Sequence, residues 1–322
     1  MVGGSGNRSI MFAVEDNVVV RDIYIYRGRG VIPRHVTHVY VANLAAVPAH
    51  AFEDHPNIEE VECHEGVVKI EELAFNNCPR LRRVIMPGVI EIEWAAFNRC
   101  RALTYVEWGK LEIIGDSAFQ MCTSLSSIDL PSIKVVDRYA FSGCTNLRDV
   151  KFGKELESVR LGAFAGCRSL ERIILPLKDG MVTANDIFQY CPNLTHIDLI
   201  GGVHETVAAL QLEEWKNDMN EEIDSISQIL ASAPAGNWRD DSGGKARAMR
   251  TGIESVLRKI IHYKVEHHSM MDEAAATIQL VLPQDIVRNN VLSFLELPSH
   301  TFDGEDDEEE DSDDDEEMDE EE

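Results

Sequence analysis

The sequence predicts an α+β chain: a solenoid of short parallel strands, then a helical hairpin, then a disordered acidic tail. Three observations predict it. One motif returns every 22 to 24 residues, the periodicity turns helical after Gly201-Gly202, and the last stretch is almost wholly acidic.

The motif is built around a Phe and a Cys. Phe52, Phe75, Phe97, Phe119, Phe141, Phe164 and Phe188 recur in register, and Cys78, Cys100, Cys122, Cys144, Cys167 and Cys191 each follow their Phe by three residues. His55 stands where the first coil would have its Cys, and Ala precedes every Phe except Phe188, which follows Ile187. Six residues after each Phe comes an aliphatic, for example Leu81, Leu103 or Leu125; three further on comes another, such as Val84, Val106 or Ile128. Two beyond that stands Cys63, Met86, Trp108, Leu130, Phe152, Leu175 or Leu199, and Pro87, Gly109, Pro131, Gly153 or Pro176 follows where a turn is needed. The final two-residue step is that of a strand, whose alternate residues face opposite ways. Such a period marks a leucine-rich-repeat type of solenoid, in which no coil buries its apolar edge alone. The Phe and Cys rows are expected to form a structural ladder inside it.

The same register predicts a binding face. Strand residues that alternate with the core line the concave surface: Glu60 and Glu62, Arg83 and Ile85, Tyr105 and Glu107, Ser127 and Asp129, Asp149 and Lys151, Arg172 and Ile174, His196 and Asp198. Their charges are mixed. They form no basic stripe for nucleic acid and no run of aromatics for stacking bases or sugars. A polar surface of this kind suits another protein.

With these residues in place, the pattern C-x-x-L-x-x-V-x-L-P followed by I-x-x-I-x-x-x-A-F-x-x-C resembles the BspA-type leucine-rich repeat of bacterial and protist proteins. The segment CTSLSSIDLPSIKVVDRYAFSGC, Cys122 to Cys144, is its clearest instance, and the resemblance runs over about residues 36 to 200. It implies a curved solenoid used for adhesion or protein recognition.

The same residues bear on other chemistries. A cysteine ladder spreads its thiols along a line, whereas zinc needs ligands that converge on one point. Parallel side chains on neighbouring coils point the same way, which disfavours disulfides. The ladder cysteines therefore read as buried packing thiols. On that reading Ser at position 122 should be worse than Ala, its hydroxyl lacking a partner. Cys63 beside His64 could be written as a nucleophile and base, but adjacent strand residues face opposite ways. His262 and Glu266 share a helix face, a metal pair or simply a polar surface. No phosphate loop, nucleophile elbow or dinucleotide fingerprint occurs, so no catalytic residue, cofactor or metal is expected.

Residues 1 to 30 read as a flexible leader and a β-rich cap, with apolar runs at Ile10–Val14, Val18–Val20 and Ile23–Tyr26; residues 31 to 202 are the repeats. Residues 203 to 302 are helical. Val207, Leu210, Trp215, Met219, Ile223, Ile226 and Leu230 form one stripe, a second helix runs from about Lys245 to Leu282, and a third from Ile286 to Leu297. Two long helices joined by a polar loop pack as a hairpin, which either caps the last coil or projects as an arm. Leu282 to Leu297 resembles the opening of an F-box, which would make the chain a ubiquitin-ligase adaptor; a packed amphipathic helix is the alternative.

Residues 303 to 322 hold 17 acids and no base, and the rest of the chain has 40 acids to 30 bases. The tail is self-repelling and is expected to stay disordered. It serves solubility, or it binds basic proteins in the manner of a chaperone, a layout resembling the acidic leucine-rich nuclear phosphoproteins. With no signal peptide or membrane span in the sequence, a soluble intracellular protein is expected, cytoplasmic or nuclear.

Overall fold

The computed structural model describes residues 8–14, 17–178, 180–182, 184, 186–200, 213–236 and 244–279. Among the described residues, six coils of the solenoid contribute a strand to each of two sides and a turn, and the last two contribute a strand to the first side only. On the first side lie β3 (His38–Val41), β5 (Glu60–Cys63), β7 (Arg83–Met86), β9 (Tyr105–Trp108), β11 (Ser127–Leu130), β13 (Asp149–Phe152), β15 (Arg172–Pro176) and β16 (His196–Ile200). On the second lie two-residue strands: β4 (Ala46–Val47), β6 (Lys69–Ile70), β8 (Glu91–Ile92), β10 (Ile113–Ile114), β12 (Val135–Val136) and β14 (Ser158–Val159). Neighbours pair in parallel, Val61 with Val84 and Val84 with Val106, so the sequence period becomes a spatial column. An antiparallel hairpin, β1 (Arg8–Val14) and β2 (Asn17–Tyr26), leads into this sheet through Ile23–Tyr26 and β3.

The third side carries the Ala-Phe turns, and their backbone explains the motif. The N–H of Phe75 donates to the carbonyl of Ala96 at 2.8 Å, Phe97 to Ala118 at 2.7 Å and Phe119 to Ala140 at 2.7 Å. Two residues beyond the Phe the chain takes a positive φ in each of the seven coils, at Asp54, Asn77, Arg99, Met121, Gly143, Gly166 and Tyr190. Asp, Asn and Gly accept that conformation readily, whereas Arg99, Met121 and Tyr190 hold it against their own side-chain sterics. Inside, the seven Phe rings stack into one column, with centroid spacings that rise from 4.7 Å at Phe52–Phe75 to 5.9 Å at Phe164–Phe188. Tyr26 closes its first end edge-on to Phe52.

The first sheet is interrupted once. β9 ends a six-stranded sheet, and β11 begins a four-stranded one, while the second sheet runs unbroken through β10 and β12. Trp108 stands at the break. The equivalent Met86, Leu130 and Phe152 are buried, whereas Trp108, the largest of these side chains, stays partly exposed, edge-on to Phe119. Its indole N–H donates to the Asp129 carbonyl at 2.7 Å, across the step between β9 and β11.

Among the described residues two helices follow the repeats, α1 (Glu213–Ser232) and α2 (Gly244–Gln279). They pack antiparallel, since Asp218 meets Lys259 while Glu222 meets both Lys259 and Ser255. α1 also lies against β16, where Ser227 Oγ is bonded to both the N–H and the carbonyl of Ile197. The Tyr190 N–H of the last turn is met by the Ala235 carbonyl at 2.8 Å. The joined end of the hairpin, the last turns of α1 and the first turns of α2, thus covers the last coil, so part of the hairpin caps the solenoid, though not by its first turns. Val207, Leu210, the segment Ile286 to Leu297 with its F-box likeness, and the acidic run lie outside the described residues.

Candidate functional site

The strand face is assembled by alternation alone. In β11, Ile128 and Leu130 point into the core while Ser127 and Asp129 are exposed; in β13, Val150 and Phe152 are buried while Asp149 and Lys151 are exposed. Glu62, Arg83, Tyr105, Glu107, Arg172, His196 and Asp198 are likewise exposed, and Glu60, Ile85 and Ile174 are half-buried. Parallel register brings them into two rows, one through Glu60, Arg83 and Tyr105, the other through Glu62, Ile85 and Glu107.

Within these rows, charges are met by neighbours one coil away. The Arg83 guanidinium lies 4.8 Å from the centroid of the Tyr105 ring, and the Tyr105 hydroxyl donates to Glu107 Oε2 at 2.9 Å. That hydrogen bond raises the Tyr105 phenol above its ordinary pKa. Lys151 reaches Asp129, and Arg172 reaches Asp198, each at 3.6 Å. Exposed pairs such as these add little stability and chiefly fix orientation.

Two residues of the face escaped the sequence reading. His38 and Tyr40 of β3 stand in register with Glu60 and Glu62, and His38 Nε2 is 3.7 Å from Glu60 Oε1. Their coil lacks the Phe, which hid it. The 22-residue step from Val39 to Val61 and from Val41 to Cys63 was the available signal.

The ladder cysteines lie in the core, all six reduced and buried. Burial pushes the Cys144 and Cys191 thiols up to about 12 and raises Cys122. They do more than fill space. Cys78 Sγ donates to the Phe52 carbonyl, Cys100 to Phe75, Cys122 to Phe97, Cys144 to Phe119, Cys167 to Phe141 and Cys191 to Phe164, at 3.1–3.2 Å. Each thiol therefore ties its coil to the aromatic turn of the coil before. The carbonyl supplies the partner that the sequence reading withheld from a hydroxyl, so the expected order of Ser and Ala reverses. Cys122→Ala should cost about 1–2 kcal/mol and Cys122→Ser less, as compared by denaturation midpoints.

His55 takes the same place in the first coil. Its Nε2–H donates to the Pro33 carbonyl at 3.2 Å, and its Nδ1 accepts the Ile58 N–H at 3.2 Å, a pattern that needs the neutral ring. Burial lowers its pKa below the ordinary 6.5. The unfolded chain therefore binds this proton before the fold does. The stability linked to His55 is complete above about pH 6.5 and falls as the pH drops below it. His55→Cys should flatten that part of a stability–pH profile.

The remaining chemical candidates do not assemble. Burial pushes the Cys63 thiol up to about 12, and His64 is exposed, its Nδ1 accepting the Gly66 N–H. His262 Nε2 lies 3.4 Å from Glu266 Oε1, a pair on one helix face. Among the described residues, no three His, Cys, Asp or Glu side chains are placed to hold a metal, and no helix is long and apolar enough to cross a membrane.

A family model described as the BspA type leucine rich repeat region, in six copies, matches residues 45–133 and 112–209. Among solved structures, a leucine-rich repeat protein from Bacteroides ovatus is 20% identical with a TM-score of 0.38, covering 53% of this chain and 53% of that one. The Treponema pallidum leucine-rich repeat protein is 26% identical with a TM-score of 0.37, over 51% of this chain and 82% of that one. The chain spans about half the length of the Bacteroides protein. No curated protein matches. With the family model covering half of the sequence, and the Phe-Cys frame repeated coil after coil, the chain belongs to the BspA type leucine-rich repeat family.

Proposed function

We propose that the protein is a non-catalytic interaction scaffold that recognises another polypeptide through the strand face. Leucine-rich repeat proteins generally bind other proteins, and one observation here supports that role for this face. A continuous outward surface from β3 to β9 combines Tyr40, Ile85 and Tyr105 with the carboxylates of Glu60, Glu62 and Glu107. Aromatic anchors give large contact area at low entropy cost, and the surrounding charges select the partner. The carboxylates outnumber the one base among these outward strand residues, Arg83, which favours a partner segment carrying Lys or Arg.

The acidic tail supports a second reading, a binder of basic proteins, and the Leu282–Leu297 segment a third, a ligase adaptor. Affinity capture separates them. Four chains are compared: intact, lacking Asp303–Glu322, lacking Pro283–Leu297, and carrying Glu62→Lys with Glu107→Lys. Partners lost only with the charge reversal support the strand face. Partners lost only with the tail favour the chaperone, and ligase subunits lost with Pro283–Leu297 favour the adaptor.

A further inference from the structure

We propose that the β1–β2 hairpin is a self-association surface, and that two copies of the chain join through β1 into one continuous antiparallel sheet. β1 is the terminal strand of its sheet, whose order runs β1-β2-β3-β5-β7-β9. It pairs with β2 along its whole length, from Arg8 opposite Ile23 to Val14 opposite Asn17. β2 in turn joins β3 only through Ile23–Tyr26. The hairpin therefore overhangs the first coil. Among the described residues no strand lies on the far side of β1, and none beside residues 17–22 except β1 itself. A two-stranded ribbon is marginal in water by itself; a third strand or a packed face is what makes it stable.

The sequence of the ribbon points the same way. Ile10 to Val14 are five successive apolar residues, and Val18 to Val20 are three more. A long hydrophobic strand at a sheet edge presents a row of unpaired N–H and C=O groups, a template for pairing with another chain. Natural proteins protect such an edge with Lys, Pro or a bulge. Between Arg8 and Val14 there is no Lys and no Pro, and the pairing with β2 is regular throughout, without a bulge.

A second copy is the occupant that fits. Antiparallel pairing of β1 with itself about Met11 sets Ile10 opposite Phe12 and Ser9 opposite Ala13. The one charged residue of the strand, Arg8, then stands opposite Val14, far from its own counterpart, so no like charges face each other. Such pairing is isologous and closes at two subunits. The far end of the solenoid cannot repeat it, because α1 lies against β16 and Ala235 meets the last turn. The product is a dimer, not a filament.

Sedimentation velocity of the full 322-residue chain tests this, over roughly 1–100 µM, where mass action should move the equilibrium. The dimer is expected to form, with Met11→Lys and Phe12→Lys each weakening it by about tenfold or more. Hydrogen exchange on the unmodified chain gives a second readout that needs no variant: amides of residues 8–14 should be slow when concentrated and fast on dilution. A monomer at every concentration would overturn the proposal. So would a dimer indifferent to both folded variants, or amide protection in this strand that dilution leaves unchanged.

Discussion

Phe97→Ala is expected to be the most damaging single truncation in the solenoid, costing roughly 3–5 kcal/mol. Phe97 is fully buried in the body of the column, 5.1 Å from Phe75 and 5.1 Å from Phe119, with both neighbours within 6° of parallel. Its loss removes two ring contacts and opens a cavity that the coils cannot collapse around. Their spacing is held by inter-coil hydrogen bonds on the turn side, such as Phe75 N–H to Ala96 and Phe97 N–H to Ala118. Because a repeat touches only its neighbours, the damage should also divide the molecule. A denaturation curve is expected to change from one transition to two, the coils before and after position 97 melting separately. A variant within about 1 kcal/mol of the parent, still melting in one step, would contradict the account of the column.

The second large effect is expected at Lys245. This side chain is buried, and its ammonium donates to the Leu194 carbonyl at 2.7 Å and to the Leu230 carbonyl at 2.8 Å. One carbonyl belongs to the last coil, the other to the end of α1, so a single amine joins solenoid and hairpin. Burial lowers its pKa, the mark of a charge held away from water. Lys245→Met keeps much of the apolar stem but strands both acceptors, each worth about 1–3 kcal/mol when left unpaired. Relief from burying the charge offsets part of that, leaving a net loss of about 2 kcal/mol. The location of the effect is the sharper check. Hydrogen exchange should speed up in α1, in the first turns of α2 and in β16, while β5 to β9 keep their protection. Uniform loss of protection would show that Lys245 does not act as a local clasp.

What could be read in the sequence was whatever the repeat imposes on every coil. Val84, Val106 and Ile128 sit at fixed distances from Phe75, Phe97 and Phe119, so their strands and their place in the register were legible from spacing. The thiol-to-carbonyl bonds were not, because they run between coils. The Cys122–Phe97 bond joins residues 25 apart in the chain and becomes visible only once the coils are stacked. Trp108 reads as one more occupant of an apolar row, and its bond to the Asp129 carbonyl, which joins residues 21 apart, likewise emerges only on stacking. Lys245 gave no signal at all. It stands near the start of a helix like any solvated lysine, and its burial depends on two carbonyls from elsewhere in the chain. For the strand face, the rows followed from period two, but His38 and Tyr40 were missed because their coil has no Phe to announce it.

The interruption at Trp108 gives the repeat array a mechanical character. A wound spring is equally stiff along its length only if each turn is fastened to the next on every side. Here the fastening at most steps is a ladder of backbone bonds on each of the three sides. At the step from β9 to β11, the second sheet and the turn side remain fastened, but the first side is held by the indole of Trp108 reaching the Asp129 carbonyl. Bending that widens the first side therefore meets least resistance at this one turn. The array yields there like a hinge with its pin along the second sheet. Its leading and trailing halves are carried as two stiff jaws, with Glu107 on the lip of one and Asp129 on the lip of the other.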